Sequence, residues 1–255
     1  MVIISGASAG IGRATAVALA QSGANVVLVA RRQERLEVLA QELATYPGRR
    51  LAVSGDIGEP AFAQAIVQQT MHTFGKIDVL VNNAGVGQQS QLVQMPLDDM
   101  RRLLDTNVLG LLYLTQTAVT QMKTKNQGHI INISSIVSQR PLPKMGLYCA
   151  SKTAVNFLSR TLRMELRPYN IRVSTVYPGR TQTEFGEALL GTSGANPTRL
   201  ARVPADRVAK AVVKTIRSGR QEVYITWYDW LFVHFNRLFP HTSDWLTNQL
   251  AKRYP

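Results

Sequence analysis

Short apolar runs alternate along this chain with longer stretches in which apolar residues return every three or four positions. The short runs predict strands at Val2–Ser5, Asn25–Ala30, Arg50–Gly55, Val79–Asn82, Gly128–Ser134, Arg172–Tyr177 and Glu222–Thr226. Most are almost continuously apolar, the pattern of strands covered on both faces rather than one. Between them the helical period predicts Ile11–Ser22, Gln33–Thr45, Pro60–Thr73, Leu147–Arg167 and Asp206–Ser218. The stretch Arg102–Lys125 is long enough for one helix or a broken pair. Strands alternating with helices in this way form a parallel sheet between two helical layers. Seven strands and at least six helices in 255 residues leave no room for a second domain. Residues 184–203 carry Gly, Ser, Asn and Pro with little periodicity and predict a mobile loop.

Composition adds less. The single cysteine, Cys149, excludes an intrachain disulfide and a cysteine-based zinc site. The four histidines, His72, His129, His234 and His241, share no ligand spacing, so no metal is expected. The net charge of +13 reads first as a generally basic soluble protein, and such a surface could also attract nucleic acid, anionic lipid or a polyanionic cofactor. No basic run with interleaved aromatics is present, so no nucleic-acid partner is expected. No export signal is expected at the N-terminus, and no stretch has the length and apolarity of a membrane span, which points to a cytoplasmic protein. Asn132-Ile133-Ser134 matches a glycosylation sequon but falls in a predicted core strand, and is read as chance.

The first candidate chemistry is the turn Ser5-Gly6-Ala7-Ser8-Ala9-Gly10-Ile11-Gly12, between the first strand and the first helix. Glycines there make a tight turn, let backbone approach a pyrophosphate and aim a helix N-terminus at it. Further along come Asn82-Asn83-Ala84-Gly85, Asn107, Ser135, Tyr148-Cys149-Ala150-Ser151-Lys152 and Pro178-Gly179. In this order the motifs resemble the short-chain dehydrogenase/reductase family, over about Val2 to Thr226; Ser5 stands where that family usually has threonine. The resemblance implies a single Rossmann-like, doubly wound α/β domain with a seven-stranded parallel sheet. It also implies hydride transfer between a nicotinamide cofactor and a ketone, another carbonyl or a secondary alcohol.

The resemblance places Gly6, Ser8, Gly10, Ile11, Gly12, Asp56, Ile57, Asn83, Ala84, Gly85, Pro178, Gly179 and Thr181 against the cofactor, with Thr183 a second candidate beside Thr181. The second strand ends at Ala30, which cannot hold a ribose 2′-hydroxyl as an acidic residue would, and Arg31-Arg32 follow. A guanidinium there fits a 2′-phosphate, so NADP is the expected cofactor, with Arg31 the main contact and Ser8 its helper. Ala9, where many NADP-binding relatives carry a basic residue, departs from that pattern.

Tyr148 and Lys152 are four residues apart on a predicted helix and share one face. A free phenol, with pKa near 10, is a poor acid–base group at neutral pH, and a nearby ammonium is expected to lower it. The resemblance gives Tyr148 the proton transfer, Lys152 the nicotinamide ribose, Ser135 the substrate oxygen and Asn107 a water that links Lys152 to solvent. Ser134 is expected to point to the opposite face of its strand. Residues 184–203 would then be a substrate lid, with Phe185, Leu189 and Leu190 opposite Leu142, Pro143 and Met145 as apolar walls. A catalytically silent dinucleotide-binding regulator or scaffold is the alternative; it would not need the Asn107, Ser135, Tyr148 and Lys152 set. A sugar-nucleotide epimerase would usually need a larger C-terminal domain than this pattern allows.

Residues 227–255 extend past the last family strand and are dense in aromatics. They suit packing on the same domain or at a subunit interface of a homo-oligomer first, and peripheral membrane contact second.

Overall fold

The computed structural model describes residues 1–187, 189–191 and 203–253. Seven strands, β1 (Val2–Ser5), β2 (Val26–Ala30), β3 (Arg50–Ser54), β4 (Val79–Asn82), β5 (Gly128–Ile133), β6 (Ile171–Tyr177) and β7 (Glu222–Tyr224), form one sheet in the order β3-β2-β1-β4-β5-β6-β7. Every neighbouring pair is parallel. The strand order reverses between β1 and β4, which opens a crevice at their carboxyl ends.

The two-residue period of the strands divides the apolar residues between two cores. Val2, Ile4, Val26, Leu28, Val79, Val81 and Ile131 face one side, where Ala16 and Leu19 of α1 (Gly10–Gln21), Leu36 and Leu39 of α2 (Gln33–Glu42), and Val208 and Val212 of α7 (Ala205–Ser218) cover them. Ile3, Val27, Val29, Leu80 and Ile130 face the other, against α3 (Pro60–Phe74) and α5 (Gly110–Thr124). Strands buried on both faces produce the continuous apolar runs seen in the sequence.

The stretch predicted as one helix or a broken pair is a broken pair: α4 (Leu97–Leu104) joins α5 through a π-helical turn at Asp105–Leu109. Such bulges widen a helix at one point and recur at functional sites. The last strand ends two residues early, because Thr226 leaves the sheet and caps α8 (Trp227–Leu238), its Oγ1 accepting the Asp229 N–H at 3.1 Å. A further helix, α9 (Pro240–Arg253), follows.

Two short elements lie within the expected loop. Glu184–Glu187 form a 3₁₀ turn, and Leu189–Leu190 pair in parallel with Gly87–Gln88. Residues 188 and 192–202 of the expected lid lie outside the described residues.

Candidate active site

The crevice is built first from backbone. Gly6 sits at φ +68°, and a Cβ there would come within 2.8 Å of the Ala84 Cα. At Gly12 a Cβ would fall 2.2 Å from the Gly6 carbonyl oxygen. The turn is therefore closed to side chains, the cradle that a pyrophosphate needs at the start of α1. The Ser5 hydroxyl accepts the N–H groups of Asn83 and Ala84 at 3.0 and 3.1 Å, while the Asn83 amide donates to the Ser5 and Gly6 carbonyls at 2.9 and 3.2 Å. The serine thus does the tying that its hydroxyl permits, and the ends of β1 and β4 become one rigid floor.

Asn107 lies on the π-helical turn and clamps Val86: its Oδ1 accepts the Val86 N–H at 2.8 Å and its Nδ2 donates to the Val86 carbonyl at 3.0 Å. Nδ2 also reaches the Ser151 Oγ at 3.1 Å. A Cβ on Gly85 would stand 3.2 Å from the Asn107 Oδ1 and 3.5 Å from the Lys152 Nζ, so both groups meet over Gly85.

Tyr148 and Lys152 are buried on α6 (Gly146–Glu165). The Lys152 Nζ donates to the Ile133 carbonyl at 2.9 Å and lies 5.9 Å from the centre of the Tyr148 ring. Burial lowers the lysine pKa to about 8. The expected lowering of the Tyr148 pKa is not seen. Burial raises it well above that of a free phenol, with Ser135 acting in the opposite direction. The cost of desolvating a phenolate dominates, and the phenol stays protonated.

Ser135 caps a 3₁₀ turn at Ile136–Gln139, its Oγ accepting the Val137 N–H at 3.3 Å and donating to the Pro178 carbonyl at 3.4 Å. Ser134 points away, bonded to the Asn156 Oδ1 at 2.6 Å and the Lys152 carbonyl at 3.2 Å. Apolar walls come from Val86, Met95, Leu103 and Leu190, with Met145 packed against them. The Phe185 ring lies 5.6 Å from that of Tyr148. Pro143 is exposed, while Leu142 is half-buried. Cys149 is buried, and the Asn132 side chain is enclosed in the core, bonded to Ser159 at 2.8 Å.

At the other end, Ala30 finishes β2 and two arginines follow, with different neighbours. Arg31 lies 3.7 Å from Asp56, and it is Arg32 that donates to the Ser8 hydroxyl, at 3.2 Å. Asp56 also accepts the Gly58 N–H at 2.9 Å, and Ile57 beside it is buried. Glu184 reaches across to Arg35 at 2.5 Å and Arg32 at 3.5 Å. The Arg35 guanidinium holds its carboxyl below the usual range.

Several contributors escaped the sequence reading. Gln88 accepts the N–H groups of Leu147 and Tyr148 at 2.8 and 3.2 Å, which fixes the first turn of α6. Nothing local marks a glutamine sixty residues upstream for that task. Thr181 turns its hydroxyl onto its own turn, donating to the Gly179 carbonyl at 3.1 Å. Thr183 is the threonine that touches the glycine turn, since a Cβ on Gly10 would stand 2.9 Å from its methyl group. Gly179 rests on Asp229 of α8, whose Oδ1 would lie 2.6 Å from a Cβ there.

Comparisons with known proteins identify the family. The profile of the short chain dehydrogenase family matches residues 1–192. An 11-beta-hydroxysteroid dehydrogenase-like protein of Arabidopsis thaliana is 34% identical over 259 residues, covering 100% of this chain and 82% of its own. A 3-oxoacyl-(acyl-carrier-protein) reductase of Thermotoga maritima is 35% identical over 208 residues, 82% of this chain and 84% of its own. Among solved structures, a short-chain dehydrogenase of Sphingobium yanoikuyae in complex with NADPH superposes with a TM-score of 0.80 at 30% identity, covering 94% and 95% of the two chains. A short chain dehydrogenase/reductase from Burkholderia phymatum in complex with NAD gives 0.86 at 26% identity, covering 94% of each. The chain belongs to the short-chain dehydrogenase/reductase family of oxidoreductases.

Proposed function

We propose that this protein is an NADP(H)-dependent reductase of an apolar ketone or other carbonyl, running in reverse as a secondary-alcohol dehydrogenase, with Tyr148 as its acid–base group. The observation that carries the reading is the convergence of Tyr148, Ser135, Lys152 and Asn107 at the carboxyl ends of β4 and β5. A silent scaffold has no use for that convergence.

The glycine turn, Asn83–Gly85 and the Pro178–Gly179 turn would hold the dinucleotide, and the Cβ-closed cradle at Gly6 and Gly12 fits a pyrophosphate. When bound, the nicotinamide supplies the hydride that reduces the carbonyl carbon. Tyr148 hands its proton to the oxygen as charge develops there. Its raised pKa keeps that proton in place at neutral pH. Ser135, whose side chain opposes that rise, would position the same oxygen and stabilise its charge. Lys152 would bind the ribose hydroxyls and, facing Asn107 over Gly85, return a proton to the phenol.

NADP is favoured over NAD by Ala30 at the strand end and by Arg31, Arg32 and Ser8 around the place where a 2′-phosphate would lie. The names of two relatives, a hydroxysteroid dehydrogenase-like protein and a 3-oxoacyl-(acyl-carrier-protein) reductase, support the reaction class. Apolar walls support a hydrophobic substrate.

The test is NADPH consumption, with NADH alongside, across β-ketoacyl thioesters, steroid ketones, retinoid aldehydes and small ketones. Turnover of one class with NADPH preferred by tenfold or more is expected. Absence of turnover with every class, in protein that binds NADPH, would favour the scaffold.

A further inference from the structure

Helix α8 is inside out. Its buried positions are Asp229, Val233 and Asn236, spaced i, i+4, i+7, while its tryptophans, Tyr228, phenylalanines and leucines are exposed. Trp227 is 74% exposed and Leu238 73%, and Trp230, Leu231 and Phe239 are exposed with them. Trp245 of α9 is 62% exposed. A helix on a water-facing surface normally turns its apolar stripe toward the core.

The inverted helix is clamped from within by polar groups. Arg140, itself buried, donates to the Asn236 Oδ1 at 2.5 Å and to the Ser243 carbonyl of α9, and lies 3.6 Å from Asp244. The Thr226 cap and the contact of Asp229 with Gly179 fix the first turn. The orientation is thus held by specific bonds, and the apolar face is left for something other than water.

We propose that this face docks on an anionic lipid surface, with α8 lying in the headgroup plane. Three features select lipid over a second copy of the chain. All three tryptophans of the protein, Trp227, Trp230 and Trp245, are exposed on these two helices, and indoles favour the interface between headgroups and acyl chains. The net charge of +13 attracts anionic headgroups and makes two copies repel one another. Arg237 is exposed on the same helix. The 12 residues of α8 rise about 18 Å, too short to cross a bilayer but suited to lying along one. Among the described residues no helix is long and apolar enough to span.

The tryptophans make the test direct. Full-length protein is titrated with vesicles of phosphatidylcholine alone and of phosphatidylcholine with about 30 mol % phosphatidylglycerol, at about 0.1 M and about 1 M salt. Intrinsic emission should shift to the blue with the anionic vesicles and be quenched by lipids brominated near the headgroup. Affinity should be at least about tenfold higher than for neutral vesicles and should weaken at high salt. Leu231→Gln with Leu238→Gln should lower vesicle affinity about tenfold or more while leaving the circular dichroism spectrum and melting midpoint in place. Unshifted emission with no co-sedimentation would overturn the proposal, as would equal binding to neutral vesicles. Lipid-free self-association abolished by the same double substitution would overturn it too, and would identify a second copy as the cover. None of these readouts depends on turnover.

Discussion

The two ends of the crevice are built on opposite electrostatic terms. At the nicotinamide end Tyr148, Lys152, Asn107 and Ser135 are all buried, and desolvation governs: it raises the phenol and lowers the ammonium to about 8. At the adenosine end the side chains of Arg31, Arg32, Arg35 and Glu184 are between 46% and 49% exposed, and the pKa of Glu184 is set by its neighbouring guanidinium. The buried end is fixed by many short bonds and tolerates little change. The open end is a set of screened, replaceable contacts, so it can tune cofactor choice without touching the chemistry.

That contrast is open to challenge, beginning with the largest effect. Tyr148→Phe removes only the transferable proton and should lower single-turnover reduction by about a thousandfold or more, with NADPH affinity within about threefold of wild type. Retention of a tenth of the rate would remove Tyr148 from the chemistry. At the open end, Arg31→Ala and Arg32→Ala each remove a guanidinium from the expected phosphate corner. Fluorescence titration should show NADPH binding weakened about ten- to a hundredfold and NADH almost unchanged. The geometry assigns the larger loss to Arg32, because it already holds Ser8. Equal losses for both nucleotides would show that the arginines do not read the 2′-phosphate.

Glu184 should matter less and in the other direction. Its carboxylate competes for Arg32 and Arg35 with any phosphate placed there, so Glu184→Gln should tighten NADPH about three- to tenfold and leave NADH alone. Weaker NADPH binding would instead mean that Glu184 orders the arginines for the phosphate. The smallest effect is expected from pH. Lys152 is charged below about pH 8 and neutral above it. Cofactor affinity should therefore fall two- to fivefold from about pH 7 to about pH 9, a slope that Lys152→Met abolishes. A pH-independent wild-type affinity would show that the lysine charge contributes nothing to binding.

Much of the site was legible because its spacing is local. The Tyr148/Lys152 pair needs only a helix, and the glycine turn only a strand before it and a helix after. The break in the long stretch after β4 was foreseen as one of two options, but not its π-helical form, which places Asn107 against Val86. Gln88 was invisible because its task is to hold a helix start sixty positions away, and glutamine carries no signal for that. That Arg32 is the guanidinium hydrogen-bonded to Ser8, with Arg31 beside Asp56, could not be read from adjacency to the strand end. The tail was recognised as aromatic, yet its two helices and the outward turn of its apolar face depend on Arg140, about a hundred residues earlier.

The sequence by itself determined the alternation of strands and helices, the two-faced sheet and the presence of a dinucleotide-type turn, because periodicity and steric limits on backbone act over a few residues. Only the tertiary structure decided the direction of the Tyr148 shift, the arginine that meets Ser8 and the face that α8 shows to its surroundings. Each of these is set by which groups water can still reach, and that is fixed only when distant segments close around them.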